Sequence, residues 1–133
     1  MIKVYQTKFG GKDALLEEQG NCWQVCIASI LELPLEEAFD CRKYSDNGWF
    51  GRFNEWLLPK GLYCIRFDHS VEKPIACSQI IGYAIMACMF STLYQHVVII
   101  KNQEVVHDPN PHAKGRLGEC RGFYLILPIQ PGK

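Results

Sequence analysis

The stretch Gln19-Gly20-Asn21-Cys22-Trp23-Gln24, continued by the apolar run Val25 to Leu33, decides how this chain is read. A polar, glycine-containing loop turns there into a helix, expected from about Cys22 to Leu33. Val25, Ile27, Ala28, Ile30 and Leu31 supply its broad apolar face. Asn21 suits the N-cap, where its side chain can accept from a free N–H of the first turn. Pro34 stops the helix. Cys22 therefore sits at the positive end of the helix, among N–H donors that have no partner within it. Such a place favours the thiolate, the nucleophilic form of cysteine.

Outward from this helix the pattern changes only once. Toward the N-terminus, Ile2 to Thr7 alternates and reads as a short strand or extended arm, and Asp13 to Glu18 as a single helical turn. Toward the C-terminus, Leu35 to Phe39 reads as a short second helix. Asn47 to Leu58 reads as a third, with Trp49, Phe50, Phe53, Trp56 and Leu57 near a 3.6-residue period and Pro59 and Gly61 ending it. Beyond that, Leu62 to Phe67, Gln79 to Met89, Gln95 to Lys101, Glu104 to Val106 and Gly122 to Leu127 are strand-like. Helices first and strands second, without βαβ alternation, predict an α+β fold with a largely antiparallel sheet. The Pro-, Gly- and charge-rich segment Asp108 to Glu119 reads as a long loop, and loops of that length in compact domains are often functional.

Composition narrows the function classes. A chain of 133 residues fits one domain spanning 1–133. Lys plus Arg and Asp plus Glu are both 14, so no bulk field draws nucleic acid or an anionic membrane. No apolar run reaches the roughly 18 residues of a membrane span. Met1-Ile2-Lys3-Val4 does not open as a secretion signal, and a cytoplasmic protein is expected. The cysteines are Cys22, Cys26, Cys41, Cys64, Cys77, Cys88 and Cys120. An odd count without a secretion signal argues against a disulfide scaffold. The absence of any C-x-x-C pair argues against a structural zinc knuckle. Apart from Cys22 they read as small hydrophobes.

Acyl transfer by a thiol needs a base, an orienter for the base, and donors for an oxyanion. His96, where a polar turn gives way to Val97-Val98-Ile99-Ile100, is the candidate base, and Asp108, one hairpin away, the candidate orienter. Taken alone, Asp108-Pro109 reads as a turn. A three-residue loop at Lys101-Asn102-Gln103 would set His96 directly opposite Asp108. A two-residue Asn102-Gln103 loop would set His96 opposite Pro109 and turn Asp108 to the other surface. The catalytic reading thus expects the odd-length loop, unless Asp108 has already left the strand.

Asn21-Cys22-Trp23 opening a helix, followed by a His-Val-Val strand and a hydrophobic-Asp-Pro strand end, resembles the papain-like cysteine peptidases. It looks closest to the bacteriocin-processing branch (the C39 group) and to small phage and bacterial proteins with a Gly-Asn-Cys-Trp-Gln start. The resemblance implies N-terminal helices packed on a C-terminal antiparallel sheet, with Cys22 as nucleophile, His96 as base and Asp108 as orienter. It implies hydrolysis of a peptide, isopeptide or amide bond through an acyl-enzyme, in a peptide, protein or amide-containing substrate, with no metal or other cofactor. Asn21 and Trp23, beside the nucleophile, are the candidates for touching substrate. The family's oxyanion-hole Gln usually stands about half a dozen residues before the Cys, where this chain has Leu16. Gln6 and Gln19 are the alternatives, and Gln6 is preferred because it follows an extended segment as the family's Gln does.

Two other classes compete. One is a papain-like scaffold repurposed for binding, with Trp23, Trp49, Phe50 and Trp56 lining a groove. The other is a metal site built from His107, Asp108, His112 and Cys120, whose spacing around two prolines fits no familiar pattern.

Overall fold

The structure, a computed structural model, describes residues 1–9, 20–44, 48–68, 82–89, 95–102, 104–111 and 120–129. The helical turn expected at Asp13 to Glu18, together with Gln19, Cys77, His112 and most of the Asp108 to Glu119 loop, lies outside them. Within them the chain is α+β: helices α1 (Cys22–Leu31) and α2 (Trp49–Leu57) precede an antiparallel sheet. Its strands are β1 (Leu62–Asp68), β2 (Tyr83–Met89), β3 (Gln95–Lys101), β4 (Glu104–His107) and β5 (Cys120–Pro128), in the order β1-β5-β2-β3-β4. Residues 1–9 form no strand, and the N-terminal segment is an extended arm instead.

Helix α1 is two residues shorter than its apolar run. Glu32 adopts a left-handed conformation at φ 55°, and its N–H and that of Leu33 both donate to the Ala28 carbonyl. This closure satisfies orphan carbonyl capacity at the helix end, and the α region is in any case disfavoured for Leu33 by the following proline. Leu35–Glu37 and Cys41–Lys43 form short 3₁₀ turns. The second expected helix is thus only one turn long.

One face of the sheet carries the main core. Cys26 and Ile27 of α1, Phe53 and Leu57 of α2, and Ile85, Val97 and Ile99 of the sheet are buried together there. Ala84, Val98, Ile100 and Phe123 are buried on the other face. Burial on both faces explains why β3 reads as the unbroken run Val97-Val98-Ile99-Ile100 rather than as an alternation. Helix α2 is tied to β1 through Asn54, whose Oδ1 accepts from the Cys64 N–H at 2.7 Å.

The β3–β4 register differs from the odd-length expectation. Lys101 pairs with Glu104, leaving the two-residue connection Asn102-Gln103. Asn102 stands at φ 49°, as tight hairpin turns require and asparagine tolerates. A bulge then shifts the pairing, so that Ile99 faces His107. The strand ends at His107, and Asp108 is off the ladder and free of its alternation.

Gly122 marks the tightest approach in the sheet, where a Cβ would lie 2.6 Å from the Phe67 carbonyl oxygen of β1. Backbone cannot yield as a flexible side chain does. Gly122→Ala is expected to lower the free energy of unfolding by about 1–3 kcal/mol in urea titrations.

Candidate active site

Helix α1 and strand β3 bring the sulfur and the imidazole together. The Cys26 thiol reaches the Val97 carbonyl at 3.8 Å, which fixes α1 against the start of β3. Cys22 lies one turn earlier on the same helical stripe, and His96 one residue earlier on the strand. The two side chains are hydrogen-bonded. On the ring's other side, His96 Nε2 meets Asp108 Oδ1 at 2.7 Å. With Nε2 so engaged, Nδ1 is the nitrogen that serves the sulfur.

Asp108 combines orienter and turn. Its Oδ1 also accepts the Asn110 N–H at 2.9 Å, closing a local turn that fixes the carboxylate. Burial alone would raise its pKa, but the bonds from His96 and Asn110 outweigh burial and hold it below the usual carboxylate value. For His96, burial pulls the pKa down. Hydrogen bonds to Asp108 and Cys22 and their negative charges pull harder, raising it from 6.5 to about 9. The ring is therefore an imidazolium at neutral pH, although it is buried.

Asn21 holds the N-cap position but does not cap, because its side chain makes no bond to the first turn of α1. It reaches instead to the N-terminal arm. Its Oδ1 accepts from the N–H groups of Thr7 and Lys8, and its Nδ2 donates to the Thr7 hydroxyl at 3.1 Å. The arm is tied further by the Gln6 N–H, which donates to the Pro109 carbonyl at 2.7 Å, directly after Asp108. Gln6 is thus clamped between the residues flanking Cys22 and Asp108. Its Nε2 donates to the Lys8 carbonyl at 3.0 Å, which fixes the amide's orientation and leaves a second N–H on that nitrogen. Among the described residues its Oε1 is buried without a hydrogen-bond partner.

Trp23 is placed elsewhere. It is buried, with its ring edge-on to Trp49, Phe53 and Tyr124 at 4.9–5.2 Å between centroids. This is packing beneath the site rather than an exposed substrate contact. Trp56 stacks on Phe53 in the same cluster. His107 points its Nε2 at the Val4 carbonyl and packs edge-on against Tyr5, so it anchors the arm. Among the described residues no group of three His, Cys, Asp or Glu side chains could hold a metal ion. No helix among them is long and apolar enough to cross a membrane.

Sequence reasoning missed the Asn21 clamp and the Gln6–Pro109 bond, since both depend on a tertiary partner that leaves no local pattern. Comparison with protein-family models, curated proteins and solved structures gave no match.

The site's electrostatics can be checked directly. Asp108→Asn keeps the shape but removes the negative charge, so the His96 pKa should fall by about 1–3 units, read by NMR titration of the imidazole. An unchanged value would mean that Asp108 does not hold the proton on the ring. Stability follows the same sign. The folded-state pKa lies above the unfolded one, so the charged ring stabilises the fold fully below about pH 6.5. That contribution fades as pH rises through about 9.

Proposed function

We propose that this chain is a papain-like thiol hydrolase that cleaves a peptide, isopeptide or amide bond through an acyl-enzyme on Cys22. The observation that carries the reading is the continuous hydrogen-bonded series Cys22–His96–Asp108, with a charged ring between sulfur and carboxylate. A positive imidazolium at the sulfur, at the start of a helix, is the partner a nucleophilic thiolate requires.

Each step then has a residue. The Cys22 thiolate attacks the carbonyl carbon. The resulting oxyanion is met by the Cys22 backbone N–H, which has no acceptor within the helix, and by the second N–H of Gln6 Nε2. The imidazolium gives its proton to the departing amine as the C–N bond breaks, leaving a thioester. His96, now neutral, takes a proton from water as the water attacks that thioester. The acid leaves, and the proton on the ring restores the ion pair. Asp108 keeps Nε2–H fixed throughout, so Nδ1 faces the reaction. The chain order Cys, His, Asp, with the Cys opening α1, the His on β3 and the Asp just past the end of β4, supports the papain-like assignment.

The test combines alkylation and turnover. Iodoacetamide should label Cys22 at neutral pH much faster than it labels a model thiol, and a library of fluorogenic peptide amides should yield substrates for wild type but none for Cys22→Ala. Labelling at model-thiol rates together with no turnover would overturn the proposal. Gln6→Ala should lower kcat by about 10²–10³ with Cys22 labelling retained, as loss of an oxyanion donor does. The profile of kcat/KM against pH should have its alkaline limb near 9, where His96 loses the proton destined for the leaving group. In Asp108→Asn that limb should move to lower pH.

A further inference from the structure

A cavity of about 230 Å³ opens on the helix-bearing face of the sheet, lined by Trp49, Arg66, Asp68, Ala87, Arg121, Gly122 and Tyr124. Its floor follows from register. Asp68, Gly122, Ala87 and Val97 stand opposite one another in turn across β1, β5, β2 and β3. This row carries almost no side chain at its two middle positions, and at Gly122 the Phe67 carbonyl oxygen occupies the place a Cβ would take. The row runs toward Val97, whose carbonyl meets Cys26 one turn from Cys22. The wall leads the same way, since Trp49 and Tyr124 both pack on Trp23, next to the nucleophile.

The cavity's chemistry is unlike that of the apolar core beside it. Arg66, Arg121 and Asp68 are among the residues that line it. Arg66 bonds Asp68 at 3.0 Å, but that pair is open to water, with side-chain exposures of 43% and 74%. Exposed ion pairs are weak and exchange readily for a better-placed anion. Arg66 also bonds Tyr124. Burial raises the Tyr124 pKa, so its hydroxyl stays protonated and able to donate. Arginine presents N–H donors in a planar fork that matches a carboxylate.

We propose that this cavity is a specificity pocket for a carboxylate-bearing group of the substrate, such as a glutamyl or aspartyl side chain near the scissile bond. Arg66 and Arg121 hold the carboxylate, and Tyr124 donates to it. Asp68 releases Arg66 as the ligand enters. This rests on Cys22 being the nucleophile.

Dipeptidyl chloromethyl ketones carrying Glu, Gln, Lys or Leu at either residue test it without requiring turnover. The rate of adduct formation at Cys22 is followed by mass spectrometry and divided by each protein's own iodoacetamide rate. A Glu probe should outpace its Gln twin by about tenfold or more, a difference of roughly 1.4 kcal/mol. Arg66→Gln and Arg121→Gln should each erase most of that preference, Arg66→Lys should keep part of it, and Asp68→Asn should increase it. Equal normalised rates for Glu and Gln, or a preference for Lys, would overturn the pocket while leaving fast iodoacetamide labelling, and so the nucleophile, intact. Labelling by iodoacetamide at model-thiol rates would instead overturn the catalytic reading and the pocket with it.

Discussion

The seating of α1 on β3 is the contact from which the rest of the site is measured. Cys26 and Ile27 are fully buried in one cluster with Val97 and Ile99, and the Cys26 thiol touches the Val97 carbonyl. Closely packed interiors allow little sliding, so the helix can occupy one position along the strand. That position sets the first turn of α1 beside His96. A helix shifted by one turn would move Cys22 by about 5 Å and break the series of hydrogen bonds. The convergence of Cys22, His96 and Asp108 is thus a consequence of apolar packing several residues away from these polar groups.

A second constraint comes from the arm. Residues near the N-terminus have little secondary structure of their own, yet Ile2, Val4 and Gln6 each place a backbone N–H on a fixed acceptor: the Ser29 carbonyl, the Ser29 hydroxyl and the Pro109 carbonyl. Asn21 completes this attachment by turning its side chain away from the helix it would ordinarily cap. Capping is worth about 1 kcal/mol. The three bonds to Thr7 and Lys8 take its place, and they hold the Gln6 segment beside Cys22. The first N–H groups of α1 are thereby left without a cap from the Asn21 side chain.

These two constraints explain what the sequence could and could not disclose. The α1 face, the buried run of β3 and the succession of helices then strands were legible because each is a local period imposed by burial. Cys22 and His96 were legible because each stands where such a period begins. The register was not. Asn102 accepts a left-handed conformation and so permits the even-length turn, while nothing in Val105-Val106 announces the bulge that follows. The end of α1 at Leu31 depends on Glu32 turning left-handed, a conformation ordinarily left to Gly or Asn. Trp23 looked available for substrate because a tryptophan beside a nucleophile can serve either purpose. The Trp49, Phe53 and Tyr124 rings that claim it come from two distant stretches of chain, α2 and β5.

The surrounding thiols show how the fold can single out one sulfur. Burial pushes the pKa values of Cys41 and Cys64 up to about 12 and that of Cys88 up to about 11, and it raises that of Cys26 as well. Cys22 and its charge add to the effect at Cys26, Cys41 and Cys88. Burial is the largest cause at each of these neighbours, and it keeps them protonated at neutral pH. Among the described residues, the His96 imidazolium lies against Cys22, held there by Asp108. Among these five cysteines, chemistry follows from which sulfur has the positive partner. Burial holds the Cys26, Cys41, Cys64 and Cys88 thiols in their protonated form.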